Sequence, residues 1–332
     1  MKQRETHSRP ARVCYYMQTH TRPAQIGRLV QVIKESCSSD SVIVIHHDAS
    51  GSPLDVTGLE SLPGVYVIQG PGGYGDFSHL DRYFAAVDWL DAHGVEFDWL
   101  QNMTGQDYPL KAISEIEDNL THSDVDGYLQ YTPIFPERMP PGADWGAGPE
   151  FRLDTPWNTS MRFEYRHRWV GRPTAAKQRW LRPVMTLNLV QPWVRVSLAF
   201  STIAVRRRNT IFTDDFICYG GSFFCVLSAP CVRYARDFAR DNPDIVTFFR
   251  TIPAPDEVFL QTVLVNSKKF RLVPDGKHYV DFTNSRNNHP KVLGVEDLPA
   301  MFVSGAHWAR KFDASRDSEV LDILDRRIRK DP

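Results

Sequence analysis

The sequence of 332 residues lacks several features that would assign it to a common class. Its five cysteines are few, odd in number and without zinc-site spacing, so buried or free thiols in a reducing compartment are expected. The formal net charge is −1, which argues against the basic character of a nucleic-acid-binding protein, and no nucleic-acid partner is predicted. The N-terminus carries no apolar run of the signal-peptide type, so a cytoplasmic location is expected.

Long hydrophobic runs are also missing. The nearest approach to a membrane span is 184–205, which Asn188, Pro192 and Arg195 interrupt, so a spanning helix is not expected. The longer stretch 162–208 is basic and contains tryptophans. A solvated basic helix would explain it, and so would an acceptor surface or a peripheral contact with the inner face of a membrane.

The first half of the chain alternates short apolar runs with amphipathic segments. Apolar residues at i, i+3, i+4 and i+7, beginning at Ile26, predict a helix, and further helices are expected after Ser78 and near Ile113. Strands are predicted at 13–17, 42–45, 65–68, 97–103 and 128–131. This alternation predicts an α/β fold with a mostly parallel sheet flanked by helices, and ligands of such sheets bind beyond the carboxyl ends of the strands.

The second half gives weaker patterns. Its Pro-, Gly- and Trp-rich part predicts a surface excursion over 133–160, and the basic part that follows is expected to be partly helical. A strand pair with a Gly220-Gly221 turn is predicted over 216–228. Helices are predicted over 229–240, 256–266 and 317–329. The polar residues 1–10 are expected to be disordered.

The segment T-G-Q-D-Y-P-L-K at 104–111 follows the fourth predicted strand. Gly, Asp and Pro all suit an ordinary turn, and composition alone favours that interpretation. The wider segment W-L-Q-N-M-T-G-Q-D-Y-P-L-K, however, resembles the signature of the core-2/I-branching glycosyltransferases, a family that also includes the peptide xylosyltransferases.

Four further blocks resemble the same family and occur in its order: I-H-H-D-A-S at 45–50, G-G-Y-G-D-F-S at 72–78, P-D-E-V-F-L-Q-T at 255–262 and S-G-A-H-W-A-R-K-F-D at 304–313. The resemblance is weakest over 133–215. It implies a GT-A type nucleotide-sugar transferase fold with a Rossmann-like central sheet. In that interpretation 11–332 is a single domain, with a nucleotide-sugar-binding half, 11–132, and an acceptor and catalytic-base half, 133–332.

The activity that the resemblance implies is inverting transfer of N-acetylglucosamine from UDP-N-acetylglucosamine to a hydroxyl of a glycan or glycoconjugate. Glu257 matches the family's general base, which takes the proton of the acceptor hydroxyl. Without the resemblance, Glu257 would be interpreted as an acid that favours a helix N-terminus. Asp48, Tyr74 and Asp107 fall on the donor-binding blocks, although a turn cap, a packed aromatic and a turn residue would also explain them.

The family needs no metal or other cofactor, because basic side chains neutralise the departing diphosphate. Lys311 matches the lysine of its K-F-D block, and Arg286 and Lys291 are the candidates for a second cation, with a solvated basic loop as the alternative for both. A D-V-D motif at 124–126 precedes a predicted strand instead of following one, so a turn is expected there and no metal site.

On the acceptor side, Glu137 resembles a family contact and Arg166 is a candidate within the basic stretch. Xylosyl transfer from UDP-xylose is the alternative within the family. Outside it, the chain could be a carbohydrate- or nucleotide-binding protein that has lost catalysis, or a peripheral membrane-binding module. The presence of both Glu257 and Lys311 favours an enzyme.

Overall fold

The computed structural model describes residues 9–38, 40–140, 142, 144, 146, 162–171, 174–283 and 289–330. In chain order its strands are β1 (Val13–Thr19), β2 (Val42–Asp48), β3 (Val65–Gly70), β4 (Trp99–Thr104), β5 (Asp107–Pro109), β6 (Gly127–Tyr128), β7 (Thr132–Pro133), β8 (Tyr165–Trp169), β9 (Val194–Ser197), β10 (Thr202–Arg206), β11 (Tyr219–Gly220), β12 (Val226–Ser228), β13 (Leu272–Val273), β14 (His278–Val280) and β15 (Trp308–Arg310).

The helices are α1 (Pro23–Ser36), α2 (Val56–Glu60), α3 (Ser78–Ala92), α4 (Ile113–Thr121), α5 (Ala175–Leu181), α6 (Leu187–Val190), α7 (Ala229–Asp241), α8 (Pro243–Phe249), α9 (Phe259–Ser267), α10 (Leu298–Val303) and α11 (Glu319–Lys330). No helix in these described ranges is both long enough and apolar enough to cross a membrane.

A mostly parallel sheet forms the centre of the molecule, as the alternation predicts. In the part of the chain that the structure describes, its strand order is β13-β6-β12-β4-β1-β2-β3. The four neighbours β4, β1, β2 and β3 run parallel, whereas β12 is antiparallel to both β4 and β6. The fold is therefore α/β with one reversed strand in its sheet.

Helices cover both faces of this sheet, which explains why β1 is apolar at nearly every position. Successive side chains of a strand point to opposite faces. Cys14 and Tyr16 accordingly pack into the core on the side of α3, α7 and α9. Val13, Tyr15 and Met17 pack into the core on the side of α1, α4 and α11.

The prediction that two strands within 216–228 pair with each other is wrong. β11 pairs with β7, while β12 inserts between β4 and β6. The backbone after Gly221 is hydrogen-bonded to β4. Asn102 donates from its side chain to Phe223 O at 2.7 Å and from its backbone to Cys225 O at 3.0 Å. Hydrogen-bonding groups that a hairpin would use within itself are thus used by three other strands.

The basic stretch, which the sequence predicts to be partly helical, contains three strands as well as two short helices. β10 pairs antiparallel with β8 and with β9, and only the short helices α5 and α6 interrupt the sheet. A surface excursion is predicted over 133–160, and much of it lies outside the described residues. Disorder is predicted for 1–10, of which only residues 9 and 10 are described. Arg9 forms an ion pair with Asp98 at 3.2 Å.

The C-terminal part returns to the start of the fold. β15 pairs antiparallel with β5, which places Arg310 opposite Asp107. Further along, Asp325 of α11 accepts hydrogen bonds from Tyr108 of β5 and from Arg28 of α1 at 2.8 Å. The last sixth of the chain is thereby fixed against the turn that follows β4.

Candidate functional site

The site lies at the carboxyl edge of the central sheet. Gln18, near the end of β1, has His46 of β2 beside it on one side and Thr104 of β4 on the other. The loops that follow these strands and β3 therefore meet at one edge, where ligands bind in sheets of this kind. The sequence predicted this edge from the strand ends alone.

Asp48 and Tyr74 occupy neighbouring loops of that edge. Asp48 accepts hydrogen bonds from the backbone and hydroxyl of Ser50 at 2.9 and 2.7 Å. A Cβ at Gly72 would lie 1.7 Å from Asp48 Oδ2, so the second loop crosses the first at a distance that only glycine allows. Tyr74 is 42% exposed and its ring centroid lies 6.3 Å from that of Phe200. Their contact with a nucleotide stays a prediction.

Asp107 lies below the surface of the site. It has no exposed surface, and its carboxylate accepts hydrogen bonds from the backbone and hydroxyl of Thr104 at 2.7 and 3.2 Å. Burial raises the pKa of Asp107, while Arg310, 3.6 Å away, opposes that rise. In the described part of the chain, Asp107 thus contacts the turn at Thr104 and the guanidinium of Arg310. Direct contact of Asp107 with the sugar donor stays a prediction.

Arg310 presents an unusual buried cation. Its guanidinium lies 3.7 Å from the ring centroid of Phe224, and Nε and Nη1 are buried without a hydrogen-bond partner in the described part of the chain. Burial lowers the pKa of Arg310, and Asp107 only partly offsets this. A buried guanidinium with unused donors is costly unless an anion completes its environment.

Lys311 lies next to Arg310 within a group of cations. Burial lowers its pKa, and the positive charges of Arg310, Arg22 and Arg316 lower it further. Asp313, the nearby acid, is bonded bidentately to Arg22 at 3.1 and 2.7 Å. No carboxylate of the described residues lies within ion-pair distance of the Lys311 ammonium. An anionic ligand would relieve this repulsion.

The two candidates for a second cation fare differently. Arg286 lies outside the described residues. Lys291 is ion-paired with Asp297 at 2.7 Å and with Glu296 at 3.3 Å. Its charge is thus already compensated, whereas Arg310 has unused donors. Contact of either candidate with a diphosphate stays a prediction.

Glu257 ends a 3₁₀ turn, Pro255–Glu257, directly before α9. The turn is anchored on both sides: Ala254 N donates to Gly75 O at 2.9 Å, and Gly221 N donates to Glu257 O at 2.8 Å. The P-D-E block is therefore held between the loop that carries Tyr74 and the segment after β11. Glu257 precedes the regular helix instead of lying in its first turn.

Arg162 is the partner of Glu257 that sequence reasoning did not find. Its side chain is 2% exposed, and Nη1 lies 3.2 Å from Glu257 Oε2. Nε donates to Pro253 O at 2.8 Å, and Nη2 donates to Ala254 O. One buried guanidinium thus holds both the backbone and the carboxylate of the P-D-E turn. The sequence showed Arg162 only as the first of several arginines.

The surroundings of this turn raise the pKa of both of its carboxyl groups. Burial raises the pKa of Asp256 to about 6, against the opposing charge of Arg162. The carboxyl of Glu257 is desolvated by its neighbours even though 51% of the side chain is exposed, and this desolvation raises its pKa. The charge of Arg162 opposes the rise, and that of Asp256 adds to it. Burial and Arg82 lower the pKa of the nearby His79 to about 4. A carboxylate with a raised pKa is a stronger base than a free one.

One short segment connects the carboxylate with the cations. Gly221 bonds to Glu257, and Phe224, three residues later, stacks on Arg310. Three residues of extended chain span at most about 11 Å. The backbone of the P-D-E turn and the side chain of Arg310 are therefore both in contact with the same short stretch of chain.

The acceptor candidates lie apart from each other. Glu137 is 65% exposed on a 3₁₀ turn, Pro136–Arg138, and this turn follows Phe135, whose ring packs on that of Phe163 beside Arg162. Arg166 lies on the exposed face of β8. Glu137 is thus exposed two residues after a ring that packs on Phe163, and Arg166 is exposed on a different element. Contact of either residue with an acceptor stays a prediction.

The D-V-D motif is occupied by protein contacts. Asp124 forms an ion pair with Arg271 at 2.9 Å, and Asp126 accepts a hydrogen bond from the Arg271 backbone at 2.9 Å. In the described ranges no group of three His, Cys, Asp or Glu side chains is arranged as a metal site. The motif ties β6 to the strand β13 that follows Arg271.

Comparison with known proteins relates the chain to sugar-transferring enzymes. No protein-family model matches the sequence. The beta-glucuronosyltransferase GlcAT14A of Arabidopsis thaliana is 24% identical over 237 residues, which cover 70% of this chain and 43% of that protein. The beta-glucuronosyltransferase GlcAT14B of the same plant is 25% identical over 236 residues, 70% of this chain and 44% of that protein. The chain thus spans less than half the length of these curated relatives.

The raised pKa of Asp256 predicts a pH-dependent stability change in the variant Asp256→Asn. The folded pKa of about 6 lies above the unfolded value, so the folded state binds the extra proton between about pH 4 and 6. The stability of the parent therefore falls as pH rises through this window. Asn cannot ionise, so the variant should be the more stable protein at pH 7, by about 1–3 kcal/mol.

Urea unfolding of both proteins at pH 7 and pH 4 measures this difference. The gain should shrink towards zero at pH 4, where Asp256 of the parent is protonated. A variant that is less stable than the parent at pH 7 would show that attraction to Arg162 outweighs the cost of burial.

Proposed function

We propose that the protein is an inverting glycosyltransferase that moves a sugar from a UDP-sugar to a hydroxyl of a glycan or glycoconjugate, on a fold of the GT-A type. The observation that carries the proposal is that one short segment contacts both the Glu257 turn, through Gly221, and, through Phe224, the buried Arg310, which has unused donors. The names of the two relatives support sugar transfer as the reaction class. The five sequence blocks support it independently.

The proposed chemistry is a single displacement. Glu257 accepts the proton of the acceptor hydroxyl while its oxygen attacks the anomeric carbon of the donor sugar. The bond from that carbon to the phosphate oxygen breaks, and UDP leaves with the electron pair. Attack from the opposite face inverts the anomeric centre. Arg162 orients Glu257 from the buried side and leaves its exposed side for the acceptor.

The departing diphosphate gains negative charge, which must be stabilised. Arg310 and Lys311 suit this role, because both are cations whose pKa burial lowers and whose ionic partners are incomplete. We propose that they neutralise the diphosphate without a metal. An interaction that strengthens as the bond breaks accelerates the reaction, whereas one equally strong in the bound donor does not.

The donor sugar is the finer part of the proposal. The sequence blocks favour UDP-N-acetylglucosamine, with UDP-xylose as the alternative within that family. The names of the relatives add UDP-glucuronate. These three donors share the UDP group and differ in the sugar, so the loops that carry Asp48 and Tyr74 would serve all of them.

A donor screen tests the reaction class and the metal independence together. Purified protein is incubated with each of the three UDP-sugars, and released UDP is measured with and without excess EDTA. We expect release from one donor in preference to the others, with activity that persists in EDTA. Loss on chelation and recovery with manganese would contradict metal independence. UDP binding without release from any donor would indicate a binding protein.

The variant Glu257→Gln tests the general base. Gln keeps the shape of the side chain and removes its basicity, so turnover should fall by about 10²–10⁴ while UDP binding survives. Glu35→Gln is the matched control, since Glu35 is also partly exposed and paired with an arginine, Arg329, at 2.8 Å. Near-normal turnover of Glu257→Gln would refute the assignment.

The variant Lys311→Ala tests the cation cluster. If Lys311 stabilises the departing diphosphate, its removal should lower both kcat and donor affinity, with a kcat/KM penalty of about 2–4 kcal/mol. Lys269→Ala, at a lysine that lies over the Tyr234 ring away from the site, is the control. Comparison with Arg310→Ala then separates the neighbours. An inactive Arg310 variant beside a fully active Lys311 variant would transfer the role to Arg310.

A further inference from the structure

The segment 165–213 has a charge composition unlike the rest of the chain. It contains nine arginines and one lysine and no aspartate or glutamate. Because the whole chain has a formal charge of −1, the remainder carries a net charge of −11. The positive charge is therefore concentrated in one segment, which forms its own small sheet of β8, β9 and β10.

Five large apolar side chains project from this segment into solvent, and we call them the apolar tip. Their exposed fractions are 67% for Trp180, 38% for Leu187, 87% for Leu189, 75% for Val190 and 67% for Trp193. Scattered exposed apolar residues are ordinary, but this many within fourteen residues form a patch that marks an interaction surface.

The apolar tip is held in an ordered turn by polar side chains that face inwards. Asn188 donates to Val196 O and accepts from Val196 N, both at 2.8 Å. Gln191 accepts from the backbone N–H groups of Trp193 and Val194 at 2.6 and 2.8 Å. Partly buried amide side chains thus hold the turn, while the large apolar side chains around them are exposed.

Exposed arginines lie in the same segment as the apolar tip, and we call five of them the basic rim: Arg166, Arg168, Arg179, Arg182 and Arg208. None of the five forms an ion pair with a carboxylate of the described residues. On β8 and β10, Arg166 lies opposite the exposed Val205, so basic and apolar side chains alternate on one outer face. Tryptophan, leucine and arginine in this arrangement suit the boundary between lipid headgroups and acyl chains.

We propose that the apolar tip and basic rim dock the protein onto an anionic lipid bilayer. The tip enters the headgroup boundary, and the rim contacts the negative headgroups. Charge complementarity selects this occupant, because a bilayer offers negative charge around an apolar surface over an area as wide as the rim. The acidic remainder of the chain would be repelled by the same surface, so the segment is the part that faces the membrane.

The docked face is connected with the site through Phe200. This residue lies between β9 and β10, and its ring packs on Tyr74. A Cβ at Gly75 would lie 2.4 Å from the Phe200 ring, so the contact is close. Docking would therefore hold the loop of Tyr74 near the bilayer. The proposal itself does not depend on the reaction and is tested without substrate.

Flotation with vesicles tests the proposal. The purified full chain is mixed with vesicles of phosphatidylcholine and phosphatidylglycerol, and separately with vesicles of phosphatidylcholine alone. We expect binding to the anionic vesicles, little binding to the neutral ones, and weakening of the binding as salt increases. Equal binding to both kinds of vesicle, or none to either, would overturn the proposal.

Two double variants separate the tip from the rim. Trp180→Ala with Trp193→Ala should lower the partition coefficient about tenfold, because apolar area no longer enters the boundary. Arg179→Gln with Arg182→Gln should lower it about fivefold for each arginine removed. All four side chains are exposed, so thermal unfolding should be unchanged and a folding defect can be recognised.

Matched controls lie outside the segment. Val303 is 85% exposed, and Val303→Ala should leave vesicle binding as in the parent. Arg240 is 67% exposed, and Arg240→Gln serves the same purpose for charge. Size-exclusion chromatography of the tryptophan double variant adds a last distinction. If the parent binds no vesicles but self-associates, and the tryptophan double variant does not self-associate, the tip is an interface between copies of this chain and the proposal fails.

Discussion

The antiparallel pairing of β5 with β15 is the interaction on which the arrangement of the site depends. It joins residues that lie about two hundred positions apart and sets Arg310 opposite Asp107. Closing so long a loop costs conformational entropy, which the packing of Trp308 and Phe312 into the core and the bonds of Asp325 to Tyr108 and Arg28 help to offset. Without this pairing the cations would have no fixed position relative to Glu257.

The site concentrates charges that a stable core would avoid. Arg310 has buried donors without partners, Asp107 is a fully buried carboxylate, and Asp256 has a buried oxygen without a hydrogen bond. Each such group costs free energy, and single native structures contain few of them. Among these groups, Arg310 is the one whose unused donors the diphosphate of the proposed function would complete.

The sequence predicted the parts of the fold that local pattern determines. The first four strands, the helices α1 and α3 and the position of the edge follow from periodicity and from turns after β2, β3 and β4. The reversed strand β12 could not be predicted in this way, because its place depends on where Asn102 and Cys225 find hydrogen-bond partners far apart in sequence. A glycine pair suggested a hairpin that the sheet order does not contain.

The same distinction applies to the site. Glu257, Lys311, Asp48 and Tyr74 could be predicted as site residues because each lies in a motif of contiguous residues. Arg162, ninety-five positions from Glu257, lies in no motif and was hidden among other arginines.

Its burial is the distinguishing property, and burial is a tertiary quantity. Arg162 is 2% exposed, whereas Arg166, only four residues later, is exposed on the outer face of β8. The sequence allows this run of basic residues to be interpreted as one solvated face, but its members have different surroundings. Arg162 is buried against the candidate base, whereas the arginines of the basic rim are exposed. Sequence composition measures the total charge of such a run, but only the fold decides which charges are turned inwards to a carboxylate and which remain available to a partner.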